Sequence, residues 1–322
     1  MAVQEIELQN LNTETFIDEQ VKAIGDTVGD SLAVNALSGG VDSSVVTLLG
    51  HRALGDRLKT YFVDNGLMRA GEPEYIVEAF QALGVRVEIV DAKDKFFAAL
   101  DGVTDPEEKR DKGITEVFYK DVFAGLVRDC GAKTLLQGTI YTDVEETVAG
   151  IKRQHNILAQ LGIDTEEAYG YKVLEPIIQL RKPAVRAVGK ALGLPEELFA
   201  RPPFPGPALA TRVVGAVTPE RIELVRTATT IVEDELCDSG AFQYMAVLHE
   251  DRVTGIRDGK RDFGLQIEVR CWDSADAVTA APTALPFDQL RRIADRIIAD
   301  VPGVVSVTYN IATKPPSCIE VV

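Results

Sequence analysis

Ser38–Ser44 reads SGGVDSS and lies between the apolar run Leu32–Leu37 and a second apolar series, Val45, Val46, Leu48, Leu49 and Leu54. The order is strand, glycine turn, helix. Such a turn gathers free backbone N–H groups, hydroxyls and the positive end of a helix dipole at one point, an arrangement that attracts phosphate. Gly39 and Gly40 let the chain turn through dihedrals closed to other residues and come close to a ligand. Asp42 is the odd member, because a carboxylate beside a triphosphate repels it unless a divalent cation stands between them. Asp42 is therefore read as a magnesium ligand. A lone SGG would be no more than a capped turn; the full seven residues in this setting favour phosphate.

Strand and helix alternate on both sides of this stretch. Thr13–Val28 carries Phe16, Ile17, Val21, Ile24 and Val28 at helical spacing behind Thr13 as a possible N-cap. Leu58–Val63, Val85–Val90, Lys133–Leu136 and Val173–Ile178 read as strands, with helices around Tyr75–Leu83 and at Lys182–Leu192. That alternation predicts an α/β domain with a parallel sheet, whose ligands sit at the carboxyl ends of the strands. The SGGVDSS turn, Val63 with the turn after it, and Gly138 fall at such ends.

Asp105–Arg110, DPEEKR, is expected to open a helix running through Phe118, Val122, Phe123 and Leu126, with Lys109 and Arg110 as cations near the sheet edge. After the fourth strand, Asp143 and Glu146 place two carboxylates three residues apart, suited to a metal contact or proton handling; a solvated helix start explains them equally well. Ile151–Asn156, IKRQHN, reads as a basic mobile lid. Arg201–Pro207, RPPFPGP, is too rich in proline for a helix or a central strand. The domain boundary is placed there, giving residues 1–205 and 206–322. The second part reads as helix Pro219–Leu236, strand Phe242–Leu248, a turn at Asp258-Gly259, strand Leu265–Cys271, helix Phe287–Ile298 and strand Val304–Ile311. This is a smaller α+β domain on a largely antiparallel sheet. The rigid tail Lys314–Glu320 offers Lys314 to a phosphate.

The chain has 322 residues, 46% apolar and 26% charged, with a formal net charge of −16. It has room for two packed cores, and its acidity opposes binding to nucleic-acid backbone or anionic membrane. No apolar run approaches the ~20 residues needed to span a bilayer. Cys130, Cys237, Cys271 and Cys318 lie far apart without a CxxC and are expected to be reduced and mostly buried, so a cytoplasmic location is expected. Neither GxxxxGK[ST] nor GxGxxG occurs, which excludes a Walker loop and a dinucleotide fingerprint.

SGGVDSS resembles the PP-loop of ATP pyrophosphatases, which cleave ATP between the α and β phosphates. FVDNGLMR at Phe62–Arg69, DPEEKR, QGTIY with Asp143 and Glu146, IKRQHN, LEP at Leu174–Pro176, RPPFPGP and KPPSCIE extend the likeness, so that nearly the whole chain is similar to the GMP synthetase family. The resemblance implies a parallel-sheet PP-loop domain followed by an α+β dimerisation domain. It implies ATP and Mg2+ as cofactors and xanthosine monophosphate as the substrate that is adenylylated and then aminated by ammonia. Ser38, Gly39, Gly40, Val41, Asp42, Ser43, Ser44, Val63 and Gly138 would hold ATP, with Asp42 on the metal. Asp143, Glu146, Lys152 and His155 would serve the reacting centre, and Arg110, Arg201, Phe204, Lys314, Ile319 and Glu320 the nucleotide substrate. With Met1 only 37 residues ahead of Ser38, a separate glutamine amidotransferase subunit is expected to supply the ammonia. Homodimerisation through the second domain is expected too.

Gln154, Pro202, Ala208 and Cys318 stand where the family usually has His, His, Gly and Thr. Those departures leave open a diverged PP-loop ligase acting on another heterocycle, or a non-catalytic nucleotide-binding relative.

Overall fold

The computed structural model describes residues 3–148, 170–199, 204–275 and 278–321. The expected lid at Ile151–Asn156, with Lys152 and His155, and Arg201 fall outside the described residues, as does the side chain of Glu146.

The chain divides into two compact units, and neither is one continuous stretch. The first comprises Met1–Asp64, Glu72–Asp91 and Phe118–Arg201; the second comprises Asn65–Gly71, Ala92–Val117 and Pro202–Val322. The turn after the second strand and the DPEEKR segment thus belong by their contacts with the carboxyl-terminal part of the chain.

The first unit is built on five parallel strands, β1 (Ala33–Ala36), β2 (Leu58–Asp64), β3 (Val87–Asp91), β4 (Thr134–Leu136) and β5 (Lys172–Leu174), in the order β3-β2-β1-β4-β5. The α/β class read from the alternation is the class observed. Helix Thr13–Val28 has the expected bounds, but Asn12 is the cap, its Oδ1 accepting from the Thr15 amide at 3.1 Å. Asn12 is still in extended backbone whereas Thr13 has already entered the helix, and only a non-helical residue can serve as N-cap. β5 is shorter than expected. Pro176 cannot donate to a ladder, and the chain turns with Ile178 N–H bonded to Glu175 O. The helix expected from DPEEKR onward changes winding: α-helix Pro106–Arg110 capped by Asp105, a π-helical stretch Asp111–Phe123, then α-helix Ala124–Cys130.

The second unit holds helices Pro219–Leu236 and Phe287–Asp300 and strands β6 (Gln243–Arg257), β7 (Lys260–Asp273), β8 (Ala281–Pro282) and β9 (Val304–Tyr309). Its sheet is largely antiparallel, as expected, with one parallel pairing that makes it mixed: β6 and β8 pair antiparallel with β7, and β9 pairs parallel with it. β6 and β7 also run far beyond their expected ends. They form one long hairpin closed at Asp258 (φ 53°) and Gly259 (φ 74°), the double left-handed turn that matches strand twist. The outer halves carry polar and exposed residues, which is why apolar patterning ended the strands early. Its core includes Met245, Val247, Trp272, Ala280 and Ile319.

All four cysteines are free thiols, but only Cys271 is buried; Cys130 is half-buried, and Cys237 and Cys318 are exposed. Small apolar side chains are inexpensive to expose singly, so residue type did not decide burial here.

Candidate functional site

Sheet order reverses between β1 and β4, so the turns after these two strands flank a crevice at the carboxyl edge of the sheet. The SGGVDSS turn leaves β1 there. Gly39 has φ 78°, and an added Cβ would also press on Ile76 Cδ1 at 3.1 Å, so glycine is required twice over. Helix Val41–Leu54 then starts at Gly40 with no side chain capping it. The amides of its first turn have no intrahelical acceptor, and together with the helix dipole they form an anion cradle.

The hydroxyls brace this cradle. Ser38 Oγ lies 3.0 Å from Ser43 Oγ, the Ser38 amide donates to Ser43 Oγ at 3.2 Å, and Ser43 and Ser44 both donate to Gly40 O, at 3.0 and 2.8 Å. Beneath it, Thr47 donates to Ser43 O at 2.7 Å and accepts from Asn35, which in turn accepts from Thr60 at 2.8 Å. This chain of buried bonds ties the turn to β1 and β2.

Asp42 has two unlike oxygens. Oδ2 accepts from Lys182 Nζ at 2.6 Å, whereas Oδ1 is buried with no hydrogen-bond partner among the described residues. Lys182 begins helix Lys182–Ala191, 140 residues along the chain; no local motif announced it. The turn after β4 presses against the cradle from the other side. A Cβ on Gly138 would lie 3.1 Å from Ser43 N and 3.2 Å from Asp42 C, so Gly138 lets backbone meet backbone. That turn is held by Thr139 Oγ1, which donates to Glu175 Oε1 at 2.6 Å; the LEP stretch thus acts as a buttress. Asp143 Oδ2 accepts from the Ile140 amide at 3.0 Å at the start of helix Tyr141–Val148, whose backbone also carries Glu146. Val63 is buried near the end of β2.

In the second unit the structure gathers Phe204, Glu320 and Ile319, with Lys314 on the same tail. Phe204 lies beneath two guanidinium groups, Arg69 at 3.9 Å and Arg212 at 4.8 Å from its ring centroid. Arg69 is paired with Glu233 at 2.6 Å. Glu320 Oε1 accepts from Gln243 at 2.7 Å and faces Arg212 at 3.5 Å. Ile319 spends its side chain on the core, leaving its backbone for other contacts. The tail is fixed from both ends: Lys314 bridges to Ala280 through its backbone, and Arg270 Nη1 donates to Cys318 O at 2.9 Å and Ile319 O at 3.3 Å. Arg270 is itself held by Glu268, which also accepts from Asn310 and lies 2.8 Å from His249 Nε2. Burial alone would raise the Glu268 carboxyl, but the bonds from His249 and Asn310 and the Arg270 charge bring it down to about 2.

Arg110 is half-buried at the end of its short helix. Lys109 is not the edge cation that its sequence position suggests. It is buried, donates to Val213 O at 2.6 Å, and burial together with the Arg221 charge lowers it to about 8. Among the missed residues, Lys182 is remote in sequence from Asp42, Gln243 and Arg212 from Glu320, and Arg270 from the tail carbonyls of Cys318 and Ile319, and none sits in a motif.

Comparison with known proteins finds a match for each half of the chain. Residues 11–206 match the family model described as NAD synthase, and residues 230–321 match that described as GMP synthase C terminal domain. Among full-length relatives, a glutamine-hydrolyzing GMP synthase subunit of Archaeoglobus fulgidus is 48% identical over 311 residues, 96% of this chain and 99% of the relative. The proteins of the same name from Pyrococcus furiosus and Methanothermobacter thermautotrophicus are each 46% identical, over 95% and 96% of this chain and 97% and 99% of their own lengths. The first match covers the half that carries the cradle, the second the half that carries the tail, and the relatives join both in one chain of similar length. The chain belongs to this family of glutamine-hydrolyzing GMP synthase subunits.

Proposed function

We propose that the chain is the synthetase subunit of a two-subunit GMP synthase, using ATP to adenylylate the C2 oxygen of xanthosine monophosphate and ammonia to displace AMP. The observation that carries the reading is the SGGVDSS turn at the switch point. It is an anion cradle without a Walker lysine, next to a carboxylate with one oxygen held and the other unspent.

In this reading the nucleotide's C2 oxygen attacks the α-phosphorus of ATP, and the bond from that phosphorus to the β-phosphate bridging oxygen breaks. The cradle formed by Ser38, Gly39, Gly40, Val41, Asp42, Ser43 and Ser44 receives the leaving pyrophosphate, with Gly138 closing it and Val63 at the adenosine side. Ammonia then adds at C2, loses a proton, and AMP departs with the former C2 oxygen. Asp42 Oδ1 fits a magnesium ion, since it is an unpartnered oxygen beside a phosphate cradle; magnesium typically takes one or two carboxylates with the rest of its shell from phosphate and water. When bound, the ion supplies charge neutralisation at the phosphates. Lys182 keeps Oδ2 engaged and so leaves Oδ1 as the oxygen that would hold the ion. Asp143, Glu146, Lys152 and His155 are assigned to the reacting centre, and Arg110, Arg201, Phe204, Lys314, Ile319 and Glu320 to the xanthosine monophosphate.

A separate glutamine amidotransferase subunit supplies ammonia, a role supported by the relatives being named as one subunit of a glutamine-hydrolyzing synthase. Residues 206–322 form the dimerisation and substrate part, and the four free thiols support a cytoplasmic location. The test is turnover with xanthosine monophosphate, ATP and magnesium. Ammonium should give GMP, AMP and pyrophosphate in equal amounts, whereas glutamine without a partner subunit should give none. ADP and orthophosphate as products would refute the reading.

A further inference from the structure

The second unit contains a buried charge that the roles above leave unused. Arg212 ends the short turn Ala208–Arg212 and is 1% exposed. A guanidinium stays charged inside proteins, so its burial is unfavourable unless its donors are satisfied. They are not. Its ionic contact among the described residues, with Glu320 Oε1, spans 3.5 Å from Nη2, well beyond the 2.7–2.9 Å of a formed charge-assisted bond. Nε and Nη1 of Arg212 and Oε2 of Glu320 are all buried without a hydrogen-bond partner among the described residues. The contrast with Arg69 is direct. Both guanidinium groups lie over Phe204, but Arg69 has Glu233 at 2.6 Å.

Two unspent donors and one unspent acceptor therefore lie in one buried cluster, beside an aromatic ring. An ion pair serving only the fold would close to contact distance. This one is held open, by Gln243 bonded to Oε1 on one side and by the stacking of Arg212 on Phe204 on the other. A ligand carrying both an acceptor oxygen and an N–H or O–H donor would complete it.

We propose that Arg212 is a specificity-determining residue of the nucleotide site, donating to an acceptor oxygen of the bound nucleotide while orienting Glu320 to accept from a donor of the same molecule. This rests on the assignment of Phe204 and Glu320 to the xanthosine monophosphate. Nucleotides that offer the oxygen without the donor, or the reverse, leave one buried group unpaired and are rejected.

The test uses the full chain and pyrophosphate release at saturating ammonium, with Arg212→Met, Arg212→Lys and Glu320→Gln and the double variant Arg212→Met with Glu320→Gln. Arg212→Met should raise the KM for xanthosine monophosphate by about tenfold or more, the loss expected of one charge-assisted bond, with the KM for ATP unchanged. Arg212→Lys should recover part of that loss, and the double variant should fall short of the product of the two single effects. Should Arg212→Met fail to fold, Arg212→Lys decides: a KM for xanthosine monophosphate within about twofold of wild type overturns the inference. Equal rises in both KM values accompanied by a lower melting temperature also overturn it, because they mark a structural role only. A wild-type chain that turns over beside unaltered variants sinks this inference alone, whereas a wild type inert towards xanthosine monophosphate sinks the site assignment with it.

Discussion

Asp42 shows how far a residue type predicts chemistry. A carboxylate in a phosphate turn is anomalous by charge alone, and the structure supplies the detail that Lys182 takes one oxygen and leaves the other. Asp42→Asn should lower turnover about 100-fold at ordinary magnesium through weakened metal binding. The melting temperature should hardly move, because the Lys182 pair is partly exposed and such pairs contribute at most about 1 kcal/mol. Activity at the wild-type level would leave Asp42 only its pairing with Lys182 in the first turn of the helix. Ala208 is the second residue to test. It is fully buried with φ 54°, a left-handed conformation unfavourable for any residue with a Cβ, at a position where the family usually has glycine. Ala208→Gly should stabilise the protein by about 1 kcal/mol, the strain relieved outweighing the lost methyl and the freer unfolded chain. Calorimetry should show a rise of about 2 °C for a unit of this size; a fall would mean that the buried methyl outweighs the strain. Of the site residues, the glycine-rich turn was legible because paired glycines flanked by serines at a strand end mark a tight turn with free amides wherever they occur. Lys109 was misread because lysine is usually exposed, and nothing local signals that Val213 O awaits it.

Among elements, helix Pro219–Leu236 matched its expectation at both ends because its start is chemically marked: Thr218 caps the Arg221 amide and Pro219 suits the first helical position. The tail Lys314–Glu320 is the opposite case. Its rigidity was visible in its prolines, but its placement depends on Arg270, anchored by Glu268. The Glu268 carboxyl is depressed to about 2, so its contribution is full above the ordinary carboxylate range and disappears as pH falls through about 2. Glu268→Gln should therefore be less stable than wild type by a gap of about 3 kcal/mol at neutral pH, taken as an upper bound from the size of that depression. Urea denaturation should find the gap constant above pH 5 and narrowing towards pH 3. A gap independent of pH throughout would mean that the carboxylate charge contributes nothing to the clasp.

For the whole molecule, six of the nine large apolar side chains exposed among the described residues belong to the second unit, including Ile256, Phe263, Phe287 and Ile311. Ile256 and Phe263 share one face near the tip of the long hairpin, since Ile256 pairs with Arg261 and Phe263 follows two residues later. In the proposed homodimer a partner copy would cover exposed apolar surface of this kind. Light scattering should give twice the chain mass of 35.0 kDa, and Phe263→Glu combined with Ile256→Asp should shift the equilibrium towards monomer without lowering the melting temperature of the first unit. A wild-type monomer at micromolar concentration would contradict the homodimer.

The sequence by itself determined the order of helices and strands in the first unit, the turn that makes the anion cradle and the hairpin turn at Asp258-Gly259. These depend on periodicity and glycine dihedrals, which act over a few residues. Only the tertiary structure decided that β9 pairs parallel with β7, that Lys182 meets Asp42, that Arg270 clasps the tail, and that Arg212 lies buried beside an unfinished partner. Each of these joins groups far apart along the chain. Their energies come from which strands pair and which charges are desolvated together, and both are set by packing, not by any property a short stretch of sequence displays.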